Sequence, residues 1–524
     1  MDFLEQVSNI LGANRPHDIA VDKSLLVVGS GDLVQEFAIL NRDKFEITIT
    51  PFIEHYSGSL GHFRVSFDES SVDSRESQGE SNADSHESSK SKNQTFAQIA
   101  FFSAFDKAKK PQLGVHFIDD YENNEALCNE IDALIGDFSF EKTILFDEKK
   151  CQYFHRDKTE FSYCAECVAV CPTMAISTND NARELVFSQI DCILCGKCVA
   201  VCPSGAMNKA NATLPNLNKA LKFYKGKIAV VCENKGDFET FSANLNNTNI
   251  AQDSQNLSPQ DEFVSFAPLV LPSVNMLNEA SLLSILQESG RICVILGEID
   301  SRLKECADFI NALYNRVVGQ NAVFINALDL HSVDFSGAEK TQLPYYHYEI
   351  SDDEFLRQIL ANRVRFLTKE RDFGVLENSA NLIYTDLKID TDKCTLCNAC
   401  VESCNAKALI NAKDSFTLLL NPSLCTACGY CVDTCAENCL EMSLNGYALN
   451  ESFLNYRVLA QDEPFCCVEC GTIFATNKSI NKVKSILSPA FMGDSIKLKS
   501  LECCEKCKVK IMFEKSSNFV GGAN

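Results

Sequence analysis

No apolar run in this 524-residue chain is long enough to cross a bilayer. The longest, "FAPLVLPSV" and "RICVILG", fall well short of the roughly 20 residues that a spanning helix needs. The N-terminus, "MDFLEQVSNILGANRPHD", has no basic start followed by a long apolar core, and no twin-arginine pair. No signal peptide is therefore expected, and the expected location is cytoplasmic. Basic residues are scarce, with 48 Lys and Arg against 71 Asp and Glu, a net charge of −23. That imbalance disfavours nucleic acid and anionic membrane as partners and suits a basic docking face on another protein. The eight histidines are scattered, with neither a zinc-hydrolase pattern nor a His/Cys catalytic pair.

What the chain has in quantity is cysteine, 27 in all. A disulfide scaffold is the expectation only for a small secreted chain. Here most cysteines fall in tight CxxC runs within a long chain, which is the pattern of metal binding. At 45% apolar residues the chain is globular, and its length suggests three or four domains.

Residues 1–149 read as an N-terminal α/β domain. "KSLLVVGSGDLVQEFAIL" is a buried strand, a glycine turn and a helix. Residues 68–93 carry nine serines and one large aliphatic residue, Val72, and are expected to be a disordered insertion. Residues 150–207 and 386–444 are two cysteine-rich blocks, an internal repeat. Between them, 221–385 reads as a Rossmann-like α/β domain with a parallel sheet, plus a helical linker. Its buried strands are "KIAVVC", "RICVILG" and "NAVFIN", and "NEASLLSILQESG" is a capped helix. "SDDEFLRQILANRVRFL" suggests a helix opened by a Ser-x-x-Glu capping box. Residues 455–524 form a C-terminal segment with further cysteine pairs. The fold class is α+β and α/β multidomain.

In the first block Cys192, Cys195, Cys198 and Cys202 precede Pro203 with the spacing C-x2-C-x2-C-x3-C-P. A short loop of this spacing wraps three thiolates around one iron–sulfur cube, and the fourth cysteine faces a second. Cys394, Cys397, Cys400 and Cys404 repeat the spacing, as do Cys425, Cys428, Cys431 and Cys435, although Asn405 and Ala436 replace the proline. The remaining run, "FSYCAECVAVCP", has only Cys164, Cys167 and Cys171, with Phe161 where a fourth cysteine belongs.

These blocks resemble bacterial two-cluster ferredoxins, a resemblance covering about 115 residues in two copies. It implies ferredoxin-like folds, four [4Fe–4S] clusters and a crossed ligand pattern. Carried over residue by residue, Cys192, Cys195 and Cys198 go with Cys171. Cys394, Cys397 and Cys400 go with Cys435, and Cys425, Cys428 and Cys431 with Cys404. The set Cys164, Cys167 and Cys202 is one thiolate short. Cys151, separated from Cys164 by twelve residues, is the favoured fourth ligand. A polar loop of ten extra residues closes at little entropic cost. The alternatives are His155 and a three-ligand cluster beside a free Cys151.

The pairs Cys467/Cys470 and Cys504/Cys507 suit one tetrahedral zinc in a zinc-ribbon-like segment, with a fifth cluster as the alternative. Cys466 and Cys503 duplicate the first position of each pair. Cys128, Cys232, Cys293, Cys306 and Cys439 have no partner at ligand spacing and read as core or surface thiols. The turn "VVGSGDLV" has Val34 where a dinucleotide site wants a small residue, so it reads as structural.

"PFCCVECGTIFATNKSINKVK" with "LECCEKCKV" resembles the tail of polyferredoxin-like proteins associated with bacterial formate dehydrogenases. "FAPLVLPSVNMLNEASLLSILQESGRICVILGE" resembles the α/β domain of the delta subunit of methyl-viologen-reducing hydrogenases. Together these imply a redox partner subunit, or a place in an oxidoreductase complex, rather than a self-sufficient enzyme. The resulting expectation is an electron-transfer protein relaying single electrons. Four clusters and one zinc bring the charge to about −33. The alternatives are a catalytic reductase using a flavin or an open iron, and an assembly or docking factor.

Overall fold

A computed structural model of the protein describes residues 3–11, 15–53, 55–67, 92–102, 112–153, 164–179, 182–210, 212–246, 265–325, 342–369, 371–412 and 416–520. The chain divides into two compact units, Met1–Tyr314 with Gln320–Asp353, and Asn315–Gly319 with Glu354–Asn524. Most of the serine-rich stretch, residues 68–91, lies outside the described residues. Its last two positions, Lys92 and Asn93, already belong to the strand Lys92–Phe96 rather than to an unstructured loop.

The first unit begins with a four-stranded parallel sheet ordered Glu46–Thr50, Ser24–Val28, Gln98–Phe101, Val115–Phe117. Leu25, Leu26 and Val27 are buried on both faces, as an unbroken apolar run demands of a central parallel strand. The glycine turn after this strand leads into the helix Asp32–Asn41. Gly29 has a φ of +151°, and a Cβ there would come within 2.9 Å of the Cβ of Phe102. The start of the turn is packed against the Phe102 backbone and the Val34 side chain, which leaves no room for a Cβ at Gly29. A three-stranded antiparallel sheet, His55–Ser57, Phe63–Phe67 and Lys92–Phe96, completes the domain.

A second parallel sheet repeats this plan, ordered Phe266–Val270, Ile228–Cys232, Cys293–Ile295, Val323–Ile325. All five residues of the strand Ile228–Cys232 have no exposed surface. The helix Glu279–Ser289 starts on an Asn278/Ser281 capping box and stops at Gly290 in the left-handed conformation. The capping box expected at Ser351 and Glu354 is not used. The helix Leu356–Thr368 starts after Phe355 without a side-chain cap and lies in the second unit.

Each cysteine block folds as strand, cysteine loop, β-hairpin, cysteine loop, strand. In the first, Ile144–Phe146 pairs antiparallel with Met207–Lys209 around the hairpin Ile176–Asn179/Glu184–Phe187. In the second, Asp386–Ile389 pairs with Leu440–Ser443 around Leu409–Ala412/Thr417–Leu420. The protein is therefore a mixed helix-and-strand, multidomain molecule. Among the described residues, no helix is long and apolar enough to cross a membrane.

Candidate metal centres

The cysteine loops owe their curl to left-handed backbone. In the three uninterrupted runs the residue before the second cysteine has positive φ: Leu194 at 64°, Leu396 at 53° and Ala427 at 57°. The residue just after the second is also left-handed: Gly196, Asn398 and Gly429. A non-glycine residue held there costs on the order of 1–3 kcal/mol and persists only where the surroundings impose it. The curl turns three successive sulfurs inward. A helical turn then carries the fourth cysteine away toward the other half of the module.

In the second module Cys394, Cys397, Cys400 and Cys435 line one hollow of about 360 Å³. Burial pushes the Cys400 thiol up to about 12, with Cys394, Cys397 and Cys435 repelling its charged form. Cys425 is likewise held up to about 12 by burial, with Cys428 and Cys404 adding to it. Cys431 is raised for the same reasons, with Cys425, Cys428 and Cys404 close by. The two runs therefore exchange their fourth cysteines.

In the first module Cys198 is held up to about 12 by burial and by Cys192, Cys195 and Cys171. The other set is the one with the gap. Cys151, Cys164, Cys167 and Cys202 line one hollow of about 340 Å³, close in size to its counterpart. Burial pushes Cys164 up to about 12, and Cys202 and Cys151 add like-charge repulsion. Cys151 is itself only 7% exposed. Phe161 and His155 lie outside the described residues.

The way Cys151 arrives explains why it meets the others. Strand Ile144–Phe146 ends at Asp147, whose carboxylate accepts from the Lys149 N–H, and a 3-10 turn Glu148–Lys150 delivers Cys151 at φ −67°, ψ 136°. In the second module Thr417–Leu420 ends at Asn421, which caps the turn Pro422–Leu424 and delivers Cys425 at φ −67°, ψ 129°. The two deliveries are the same structure. Asp390 plays the capping part four residues before Cys394, and Ser188 four residues before Cys192. Sequence reasoning judged Cys151 by its distance from Cys164. The signal it missed was the turn-capping residue four positions before each opening cysteine: Asp147, Ser188, Asp390, Asn421. Beyond Cys151, Tyr153 is buried beneath the Arg183 guanidinium, 4.1 Å from the ring centre, which ties the segment to the hairpin.

Thiols pressed together in burial cannot all ionise unaided. A cationic iron–sulfide core reverses that balance, so the raised thiols fit a ligand role once metal is bound. Residues 139–206 and residues 386–436 match two different family models, each described as a 4Fe-4S dicluster domain. Both stretches are ferredoxin-like iron–sulfur domains. The first match spans the Cys151 segment as well as the two later runs. No curated protein matches the chain.

These iron–sulfur domains do not account for the four tail thiols. Cys467, Cys470, Cys504 and Cys507 have all their sulfurs within 4.8 Å of one another. A tetrahedral zinc with bonds of about 2.3 Å sets its sulfurs about 3.8 Å apart, and Cys470 and Cys504 stand 3.7 Å apart. Cys467 and Cys470 flank the tip of the hairpin Pro464–Cys466/Ile473–Thr476, where Gly471 takes a φ of 72°. The second pair sits at the first turn of the helix Glu505–Val520, not on a second hairpin. Burial works against ionising Cys467, but the N–H groups of Cys504, Cys470 and Glu469 outweigh it and bring the thiol down to about 6. Cys507, next to Cys470, is pushed up to about 12. Of the duplicate cysteines, Cys466 is exposed and Cys503 bonds to the Lys499 carbonyl.

Cys232, Cys293 and Cys306 are buried in the central α/β region, and Cys128 packs in the core of the N-terminal domain beside Asn41. Cys439 is likewise a buried core thiol, packed with Cys394 and Cys435. It lines the same hollow as Cys394, Cys397, Cys400 and Cys435.

The first module is also seated on the central parallel sheet. The helix Lys197–Val201 packs on the turn Val274–Met276, which follows the C-terminal end of one strand. Arg302 donates to the Ala200 carbonyl, and Lys197 pairs with Asp300 beyond the end of another strand. A Cβ on Gly196 would come within 2.5 Å of the Cβ of Met276.

Proposed function

We propose that this protein is a relay for single electrons, carrying about four [4Fe–4S] clusters that pass charge to or from a redox enzyme. The ligand sets in this reading are Cys151/Cys164/Cys167/Cys202, Cys192/Cys195/Cys198/Cys171, Cys394/Cys397/Cys400/Cys435 and Cys425/Cys428/Cys431/Cys404. Cys467, Cys470, Cys504 and Cys507 hold one structural zinc. The observation that carries the reading is the convergence of Cys151 on Cys164, Cys167 and Cys202. It supplies a thiolate to every iron and argues for conduction over an open catalytic iron.

Val34, where a dinucleotide site wants a small residue, crowds Gly29 in the glycine turn, which argues against a flavin or nicotinamide there. Net charge favours a partner with a basic docking face. The resemblance of the tail to formate dehydrogenase-associated proteins makes such an enzyme the first partner to test.

Iron, acid-labile sulfide and zinc per chain, measured on anaerobically purified protein with its EPR spectrum, test the reading. The expected outcome is about sixteen irons, one zinc and no oxidised three-iron signal. Fifteen irons with that signal would mean that Phe161 marks a real vacancy at one corner of the first cluster and would favour catalysis. Clusters that cannot be reversibly reduced would favour an assembly or docking factor.

A further inference from the structure

Behind each fourth cysteine the chain makes the same short turn. Three residues on stands a left-handed residue: Met174, Gly205, Lys407 and Asn438. It throws the next residue back against the cysteine. At that next position three of the four loops carry a buried alanine: Ala175, Ala206 and Ala408. The fourth carries Cys439, also buried. A thiol thus stands where its structural equivalents present only a methyl group.

Its geometry uses that difference. The Cys439 and Cys435 sulfurs are 3.4 Å apart, and the Cys439 N–H points at the Cys435 sulfur from 3.5 Å. The Cys394 sulfur is within hydrogen-bonding reach of Cys439 too. A thiolate bound to iron has no proton to give, so between Cys435 and Cys439 only Cys439 can donate.

We propose that Cys439 is a fifth, non-ligating thiol of the cluster held by Cys394, Cys397, Cys400 and Cys435, and that its S–H bond to Cys435 raises that cluster's reduction potential. The inference rests on reading those four cysteines as one cluster's ligands. An added electron increases the negative charge on the sulfurs, and a hydrogen bond to a ligand sulfur stabilises that charge more in the reduced state. No bond to iron forms or breaks, and the proton stays on Cys439.

The test compares full-length protein with Cys439→Ala and Cys439→Ser, reading iron per chain and the midpoint potentials by EPR-monitored titration. Alanine already stands at the three equivalent positions, so the site accepts it. The expected result is unchanged iron in both variants. One midpoint falls in Cys439→Ala, falls less in Cys439→Ser, and the other midpoints stay in place. Unchanged iron with unchanged midpoints would overturn the proposal. Loss of about four irons in Cys439→Ala would overturn it as well, because Cys439 would then be holding the cluster. If the parent protein itself lacks the iron for four clusters, the underlying ligand reading fails instead.

Discussion

In the first dicluster domain a proline follows each crossing cysteine, Pro172 and Pro203, and a hydroxyl stands one residue further on. In the second, Asn405 and Ala436 replace the prolines, and Ala406 and Glu437 replace the hydroxyls. Thr173 and Ser204 lie 3.8 and 3.6 Å from the sulfurs of Cys171 and Cys202. The second domain instead sets a thiol against Cys435. It is also braced from outside. The strand Arg457–Gln461 joins its hairpin sheet, Arg457 pairs with Asp386, and Lys482 from the tail helix pairs with Glu437. The comparison separates what the ligand arrangement requires from what it tolerates. Left-handed turns and capped approaches recur in both copies, while proline and hydroxyl do not.

The sharpest way to break the comparison is to treat Cys151 and Cys425 as equivalents. Cys151→Ala and Cys425→Ala are each expected to remove between one and four irons per chain, or to create an oxidised three-iron signal, by iron assay and EPR. Unchanged iron and spectra in Cys151→Ala would end the equivalence. In the tail, Cys467→Ser with Cys504→Ser should remove the single zinc and leave the iron of both domains intact, by elemental analysis. Iron falling with the zinc would mean that the tail holds a cluster.

A smaller effect concerns pH. His116 in the N-terminal domain is pressed down to about 4 by burial, with its ring nitrogens engaged by Gln98 and Tyr121. Its folded pKa is below its unfolded value of about 6.5, so the unfolded chain binds the extra proton first. The neutral ring's contribution, at most roughly 3 kcal/mol, is full above the unfolded pKa and is lost as pH falls from about 6.5 to 4. His116→Gln should flatten that acid slope in denaturant titrations. Pro172→Ala and Pro203→Ala are each expected to cost about 0.4–1 kcal/mol through the unfolded chain, measurable as a small drop in the midpoint of thermal unfolding. The smallest expected effect is none. Deleting residues 154–163 joins Cys151-Gln152-Tyr153 to Cys164 with ordinary C-x2-C spacing, and the iron content should not change.

The cysteine spacing made both dicluster domains legible, because a loop that wraps a cube has almost no freedom of length. Buried strands such as Ile228–Cys232 were legible for a similar reason, since burial on both faces leaves an unbroken apolar run. The helix start at Leu356 was not, because the local Ser351/Glu354 signal pointed to a start several residues earlier than the one observed. Cys439 was hidden as well. Its place beside Cys435 depends on a left-handed turn at Asn438, and spacing alone cannot show which way a turn throws the next side chain.

The seat of the helix Lys197–Val201 on the rim of the central sheet has a consequence for a cell short of iron. Whatever binds only the native form stabilises every element packed against it. Metal bound at Cys192, Cys195 and Cys198 would fix the loop that holds them, and the Val274–Met276 turn rests on that loop through Gly196. Iron starvation should therefore be felt in the central sheet, which offers few thiols of its own. Amide hydrogens near Val274 and Asp300 should exchange faster in metal-depleted protein, reporting the loss from residues that never touch iron.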